Sequence, residues 1–420
     1  MKRITKGHLF RSVLLLIGGT TFSQILNIIV SPLITRIYSP EQFGMYTLYT
    51  AIIGIIAVGA FKYEFAIPLV NNDKKAINII LLCILLLISY TVVTFLITIV
   101  IYYFFSDGIE FRQFIWLIPV GIFFLGIYQI FKQWALRLKE FKNLSKSIIL
   151  QNITGNLVKI FGGLFGFGGS GLILGYVIGQ SFGISQLFKS LWKRKKLIRF
   201  INKRTIYWGL KRYSKFPFYS TPTHLLSSAG RHLPILFISM FYGSQVVGLY
   251  GLAYSIVRLP MTLIGNAIGD VFYAEAADVG RKNIARVKKI SNRLVKRLSL
   301  VGLIPTILLV FFGPQMFSFV FGDAWFESGK YASITSFMIF FTLIFAPASR
   351  VYEVFDKQKL KLGIDIIRIL LICFVFVLSR VFGLNSYVAI MLYSIVVSFI
   401  QFVIYIFAQR IMNTMIRNGS

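Results

Sequence analysis

Acidic residues are scarce in this 420-residue chain: 14 Asp and Glu stand against 45 Lys and Arg, a formal net charge of +31. Charge of either sign is thin, at 14% of residues, where a soluble domain carries about a quarter. Only two cysteines occur, Cys83 and Cys373, far apart and inside apolar runs, which leaves a disulfide framework or a Cys-based metal site without support. The three histidines, His8, His224 and His232, show no ligand spacing. Neither a G-x-x-x-x-G-K-[ST] loop nor an H-E-x-x-H helix is present, so nucleotide hydrolysis and zinc proteolysis have no basis. No catalytic residue, metal or cofactor is expected, and the longest polar stretch, Lys189 to Lys215, has no room for a soluble catalytic domain.

What fills the chain instead is apolar: 56% of residues are hydrophobic and 16% aromatic, with mean hydropathy +0.75. Runs long enough to cross a bilayer, about 20 residues, fall at 12–35, 43–70, 76–105, 113–131, 147–167, 171–188, 218–241, 246–274, 298–321, 331–355, 362–382 and 387–409. The fold class is therefore an all-α integral membrane protein of twelve transmembrane helices. The first run follows Lys2, Arg3, Lys6 and Arg11 but is too long for a signal peptide and lacks a small-x-small cleavage site, so it reads as an uncleaved span.

The basic residues orient the spans. Of the 45, 35 fall in segments on the side of the termini, four (Arg36, Arg112, Lys330, Arg380) on the other, and six within spans. Cytoplasmic loops retain Lys and Arg, so both termini are expected in the cytoplasm. Most of the +31 is then topology and contact with anionic lipid, not nucleic-acid binding.

The basic stretch between spans six and seven divides the chain into an N-terminal six-helix bundle (1–188), a cytoplasmic linker (189–216), expected as an interfacial amphipathic helix, and a C-terminal six-helix bundle (217–420). An internal repeat supports the division: 34–52 aligns without gaps to 238–256, an offset of 204, with six of nineteen positions identical, among them Tyr38/Tyr242, Gly44/Gly248 and Tyr46/Tyr250. Both preceding helices carry a proline, Pro32 and Pro234. Parallel repeats of this kind are typical of transporters, with the substrate site near the midplane.

Two enzyme-like patterns have other readings. Gly166-Phe-Gly168-Gly-Ser-Gly171 lacks the strand and the later acid of a dinucleotide site. Gly179-Gln-Ser181-Phe-Gly183 lacks the strand-to-helix elbow of a hydrolase nucleophile. Gly171, Gly175, Gly179 and Gly183 instead recur every four residues along one face of span six, the spacing of close helix packing in lipid.

The six cations inside spans are Lys62, Lys159, Arg231, Arg258, Arg350 and Arg368. Such residues are costly and usually face a cavity or a partner. Arg350 with Glu353, and Asp365 with Arg368, are spaced to pair on one helix face. Arg258 and Asp270 belong near the ends of their helix, where snorkelling explains them. Lys62 and Glu64, two apart, are expected on different helix faces and unable to pair simply. Lys62, Lys159 and Arg231, joined by Arg258 and Arg350, are the candidates for a cationic cavity suited to phosphate or pyrophosphate, where Arg binds as a fork and Lys as a point charge. Glu64, Glu353, Asp365 and Asp270 are candidates for ion coupling or structural pairing.

The segments Ser31-Pro32-Leu-Ile-Thr35-Arg36-Ile-Tyr38-Ser-Pro40-Glu41-Gln-Phe43-Gly44-Met-Tyr46 and Lys62-Tyr63-Glu64-Phe-Ala-Ile67-Pro68-Leu69 resemble the amino-terminal signature of the bacterial polysaccharide transporters. These are the O-antigen, capsule and teichuronic-acid repeat-unit flippases of the multidrug, oligosaccharidyl-lipid and polysaccharide superfamily. The resemblance implies two six-helix bundles in a V, alternating between inward-open and outward-open states around a central cavity. It implies as cargo a polyprenyl-pyrophosphate-linked oligosaccharide, as location the bacterial cytoplasmic membrane, and as partners the polymerase and other polysaccharide-assembly proteins. Only Lys62-Tyr63-Glu64 is carried over as matched family positions. Two other functions compete: a multidrug cation antiporter of the same superfamily, which needs an acid-dominated cavity, and a membrane-embedded polysaccharide polymerase or ligase, which needs a sizeable outward loop.

Overall fold

The computed structural model describes residues 6–104, 114–259, 261–265, 268–269, 272, 275–276, 283–355 and 357–418. They are helical almost throughout, and no strand occurs among the described residues. Apolar composition dictates that outcome, because hydrocarbon offers backbone N–H and C=O groups no partner and each crossing segment must satisfy its own. The chain divides into two compact units, Met1–Leu236 and Phe237–Ser420. The division falls within a helix, downstream of the basic stretch 189–216.

The amino-terminal unit contains α1 (Lys6–Ile37), α2 (Pro40–Ile56), α3 (Asp73–Phe104), α4 (Leu117–Arg137), α5 (Phe141–Leu164), α6 (Gly169–Trp192) and the short α7 (Lys203–Arg212). Ser39 starts α2 with a capping box: its side chain accepts from the Gln42 N–H, the Gln42 side chain accepts from the Ser39 N–H, and Pro40 occupies the first helical position. The span expected over 43–70 does not continue as one helix. It stops at Ile56, Phe61 and Lys62 adopt positive φ (46° and 60°), and a 3-10 turn, Tyr63–Leu69, follows. Left-handed residues cannot continue a right-handed helix, and Pro68 brings no N–H. Protein covers this irregular backbone, with Tyr63, Glu64, Ala66 and Ile67 all buried, the condition under which it is tolerated at membrane depth.

The glycine row of α6 lies against α5. A Cβ added to Gly179 would sit 2.7 Å from the Gln151 carbonyl oxygen, and one on Gly175 2.7 Å from that of Gly155. Gly171 meets Gly162 of α5 in the same way, at 3.0 Å. The backbones therefore touch, which is how two helices gain contact where lipid is as apolar as the side chains. The Tyr38 hydroxyl completes this corner by donating to the Lys159 carbonyl at 2.6 Å.

The stretch 189–216 is not the single amphipathic helix expected. α6 runs through Trp192, a 3-10 turn covers Lys195–Phe200, and α7 follows. Its path is set by polar contacts with the start of α3. Asn78 accepts from the Asn202 N–H at 2.8 Å and donates to the Phe200 carbonyl at 3.1 Å. Asp73 is flanked by Arg137 and Arg194 at 2.8 and 3.1 Å. Gly209 lets α7 lie against Ile79.

Next comes α8 (Thr221–Val257), two arms that meet at Gly243, whose φ of 83° and ψ of 173° break the helix. Gly243 stands 204 residues after Ser39, so α8 is the repeat's copy of the α1–α2 hairpin. Here too the preceding tyrosine reaches across its unit, the Tyr242 hydroxyl donating to the Leu384 carbonyl at 3.1 Å. The carboxy-terminal unit continues with α9 (Ile284–Phe321), α10 (Phe326–Ile344), α11 (Ala346–Val354), α12 (Gln358–Val381) and α13 (Ser386–Asn418). α9 begins well before the expected boundary at 298, because Asn283 caps it by accepting from the Arg286 N–H and the basic residues through Arg297 are helical.

Among the described residues, nine segments are long and apolar enough to cross a membrane, with α8 counted once. α2, at 17 residues, and α5, diluted by Lys142, Lys146 and Lys159, join them, and the two arms of α8 bring the number to twelve. In both units the third long helix packs on the fourth, the fourth on the sixth and the fifth on the sixth. Side chains such as Leu96 and Val100 on α3, and Ile304 and Phe311 on α9, remain exposed and form the lipid-facing surface of such a bundle.

Candidate functional site

The irregular segment after α2 carries the first charged pair. The left-handed turn at Lys62 brings its Nζ to 3.7 Å from Glu64 Oε1. This corrects the expectation that the two cannot pair, which assumed a continuous helix. Both are buried, at 6% and 5% exposure, and two buried charges are tolerable because each neutralises the other. Lys62 Nζ also lies 5.6 Å from the Phe65 ring centroid, while Glu64 Oε2 has no hydrogen-bond partner among the described residues. The segment is anchored to the basic stretch: the Tyr63 hydroxyl donates to the Leu210 carbonyl of α7 at 2.9 Å, and Phe65 packs on Phe216.

The second element is the first arm of α8. His224, Ser228 and Arg231 follow at spacings of four and three and so share one helix face. Arg231 Nη2 donates to Ser228 Oγ at 3.0 Å. Ser228 is buried, His224 half-buried and Arg231 exposed. Lys62 and Arg231 both lie near enough to act on His224, so the segment after α2 and this arm of α8 approach each other within the amino-terminal unit. His232 fits where Gly54 of α2 leaves room, since a Cβ on Gly54 would lie 2.5 Å from His232 Nε2. Sequence reasoning gave His224 no role, yet the 224/228/231 spacing was the available signal.

Lys159 is held elsewhere. It lies five residues from the end of α5, and its Nζ donates to the Tyr46 hydroxyl at 3.1 Å, 4.5 Å from that ring's centroid. Tyr46 is near the start of α2, and at 1.5 Å per residue the rest of that helix adds about 15 Å before the segment bearing Lys62 begins. The structure does not gather Lys159 with Lys62.

In the carboxy-terminal unit, Arg258 follows the end of α8, its guanidinium 5.7 Å from the Tyr254 ring. Arg350 and Glu353 pair at 3.3 Å and line a cavity of about 250 Å³ with Lys361, Thr342, Ser349 and Gln401. Asp365 lies between Lys361 at 3.1 Å and Arg368 at 3.2 Å. Charge in this cavity is thus largely matched. Asp270 lies outside the described residues.

With this geometry in hand, comparison with known proteins identifies relatives. Residues 33–330 match the model of the family described as polysaccharide biosynthesis protein. The teichuronic acid biosynthesis protein TuaB of Bacillus subtilis (strain 168) is 28% identical over 158 residues, covering 36% of this chain and 32% of that protein, so this match spans about a third of the relative's length. Among solved structures, the inward-facing conformation of a multidrug resistance MATE family transporter of the MOP superfamily is similar at a TM-score of 0.72 and 16% identity, over 94% of this chain and 96% of that one. The lipid II flippase MurJ, in an inward closed conformation, is similar at a TM-score of 0.68 and 16% identity, over 94% and 87%. At such identities the likeness is one of fold: the chain has the twelve-helix architecture of these transporters.

Proposed function

The chain belongs to the polysaccharide biosynthesis protein family, and from that membership and its transporter fold we propose that it is a flippase for undecaprenyl-pyrophosphate-linked oligosaccharide repeat units. In this reading it works by alternating access in the bacterial cytoplasmic membrane, with both termini in the cytoplasm, and delivers the cargo to the outer leaflet for surface-polysaccharide assembly. The observation that carries the reading is Arg231, an exposed guanidinium eleven positions into α8. A charge at that depth is costly against lipid and belongs at a water-filled face. Pyrophosphate suits the fork of Arg231, and the imidazole of His224 can donate a further hydrogen bond. Lys62, already paired with Glu64, contributes a charge whose share for cargo depends on that carboxylate.

The alternatives fit this face less well. A cationic drug would meet the exposed guanidinium of Arg231 head on. A polymerase or ligase would need a sizeable outward catalytic loop, whereas by sequence no more than nine residues (322–330) separate the apolar runs on the side opposite the basic residues. ATP is not required: moving one charge through 100 mV is worth about 2.3 kcal/mol, so a cargo with two negative charges would gain roughly twice that on crossing the full field.

The test uses the full chain in sealed vesicles loaded with undecaprenyl-pyrophosphate-linked oligosaccharide. Access of the sugar to an external glycosidase should become protein-dependent. Proton-coupled efflux of a cationic dye with no movement of the lipid-linked sugar would overturn the flippase reading.

A further inference from the structure

A second polar feature sits on different helices. Asn156 of α5 donates through Nδ2 to Asn27 Oδ1 of α1 at 2.8 Å. Asn27 in turn donates to Asn152 Oδ1 at 2.9 Å, and Asn152 closes the chain on its own helix at the Ile148 carbonyl, 2.8 Å away. Asn152 and Asn156 are one turn apart on α5, and Gln24, three residues before Asn27, adds a carboxamide on the same side of α1. The Gln24 oxygen is buried and has no hydrogen-bond partner among the described residues.

The exposures and the depth are what call for a ligand. Asn156 is buried and Asn152 half-buried, but Asn27 is exposed. Asn27 lies ten residues before the end of α1, about 15 Å at 1.5 Å per residue, close to the middle of a hydrocarbon core roughly 30 Å thick. A carboxamide has two N–H donors and two acceptor lone pairs, and Asn27 spends one of each on its neighbours. The remaining donor and acceptor, exposed at mid-depth, would be orphaned against lipid. A ladder serving only to lock α1 to α5 would have no reason to leave its central amide open.

We propose that the Asn27–Asn152–Asn156 ladder is a subsite for the uncharged, hydroxyl-bearing sugar portion of the lipid-linked cargo. A sugar hydroxyl is both donor and acceptor, the complement of what Asn27 leaves unspent, and a neutral amide recognises it without competing for the pyrophosphate. The ladder stands on α1 and α5, whereas Lys62 and Arg231 stand on the segment after α2 and on α8. This inference rests on the flippase reading above, since it assigns a second part of the same cargo.

The test separates the two claims with two probes, undecaprenyl pyrophosphate without sugar and the undecaprenyl-pyrophosphate-linked oligosaccharide isolated from cells blocked in export, each titrated onto the purified full chain. Wild type should bind the glycosylated lipid about tenfold more tightly than the bare one, the worth of one or two net hydrogen bonds. Replacing all three amides (Asn27→Leu, Asn152→Leu, Asn156→Leu) removes every member of the ladder together, and should bring that ratio close to one while leaving affinity for the bare lipid unchanged. An unchanged ratio in this variant would mean that the ladder only joins helices, and the subsite would fall. Equal binding of both lipids by wild type would also remove the subsite while the flippase reading stands; binding of neither would remove both. Should the triple variant lose its cooperative melt, Asn27→Ser takes its place, with an intermediate ratio expected and an unchanged one overturning the assignment.

Discussion

The Tyr63 hydroxyl donates to the Leu210 carbonyl at 2.9 Å, joining two segments 147 residues apart in sequence. Through this bond the turn that carries Lys62 and Glu64 rests on α7, the amphipathic helix of the basic stretch. A charged motif and a surface helix that look independent in sequence are one local structure. Tyr63→Phe should cost about 1 kcal/mol, a small change in melting, but trypsin should cut the Lys203–Arg212 segment faster. Unchanged cleavage would mean that α7 is held by its Asn78 and Gly209 contacts alone.

The Lys62–Glu64 pair makes an asymmetric prediction. Lys62→Met leaves a buried carboxylate without its cation and should destabilise the protein by about 3–5 kcal/mol, whereas Lys62→Met with Glu64→Gln should recover most of that loss. Thermal melts in detergent read the difference. A single variant as stable as the double would mean that the pair is not coupled in the folded protein.

Much of this fold was legible in the sequence because hydrocarbon imposes so simple a rule. Apolar length marks helices, and a row of glycines at every fourth position marks the face where α6 meets α5. What escaped depends on single backbone angles or on distant partners. Positive φ at Phe61 and Lys62 turned a supposed continuous span into a broken one and reversed the pairing of Lys62. α9 hid its first turns behind basic residues that read as loop. Lys159 found Tyr46 across 113 positions and Asn152 found Asn27 across 125, contacts to which no local spacing points.

Arg231 separates transport from stability. Because it is exposed, Arg231→Ala should change stability by no more than about 0.5 kcal/mol. If the guanidinium holds pyrophosphate, lipid translocation in vesicles should fall at least about tenfold, the worth of one charge-assisted contact. Arg231→Lys should fall between, keeping the charge and losing the fork. Wild-type translocation by the alanine variant would exclude Arg231 from the cargo site.

The glycines differ in what they tolerate. A Cβ on Gly179 meets backbone on α5, at 2.7 Å from the Gln151 oxygen and 3.1 Å from Gly155 Cα, while one on Gly363 of α12 meets nothing within 4 Å. Gly179→Ala should therefore force α5 and α6 apart at a cost of about 1–3 kcal/mol. Gly363→Ala should be neutral or stabilising by up to about 1 kcal/mol through better helix propensity. Melting temperatures of the two variants in one detergent give the comparison, and equal shifts would contradict the close α5–α6 approach.

The internal repeat sets a final trap. By alignment, Gly243 corresponds to Ser39, and a designer symmetrising the two hairpins would write Gly243→Ser. The backbones disagree: Ser39 has φ −70° and ψ 159°, within reach of any residue, whereas Gly243 has φ 83° and ψ 173°, a region open essentially to glycine alone. The two copies thus make the same turn by different means, one with a side-chain cap and a proline, the other with a residue that has no Cβ. Gly243→Ser should consequently cost about 1–3 kcal/mol in strain, despite restoring a good N-cap residue. Ser39→Gly, which only gives up the capping hydroxyl, should cost a few tenths of a kcal/mol. A melt in which Gly243→Ser is the milder of the two would show that the arms of α8 can meet with negative φ, as α1 and α2 do.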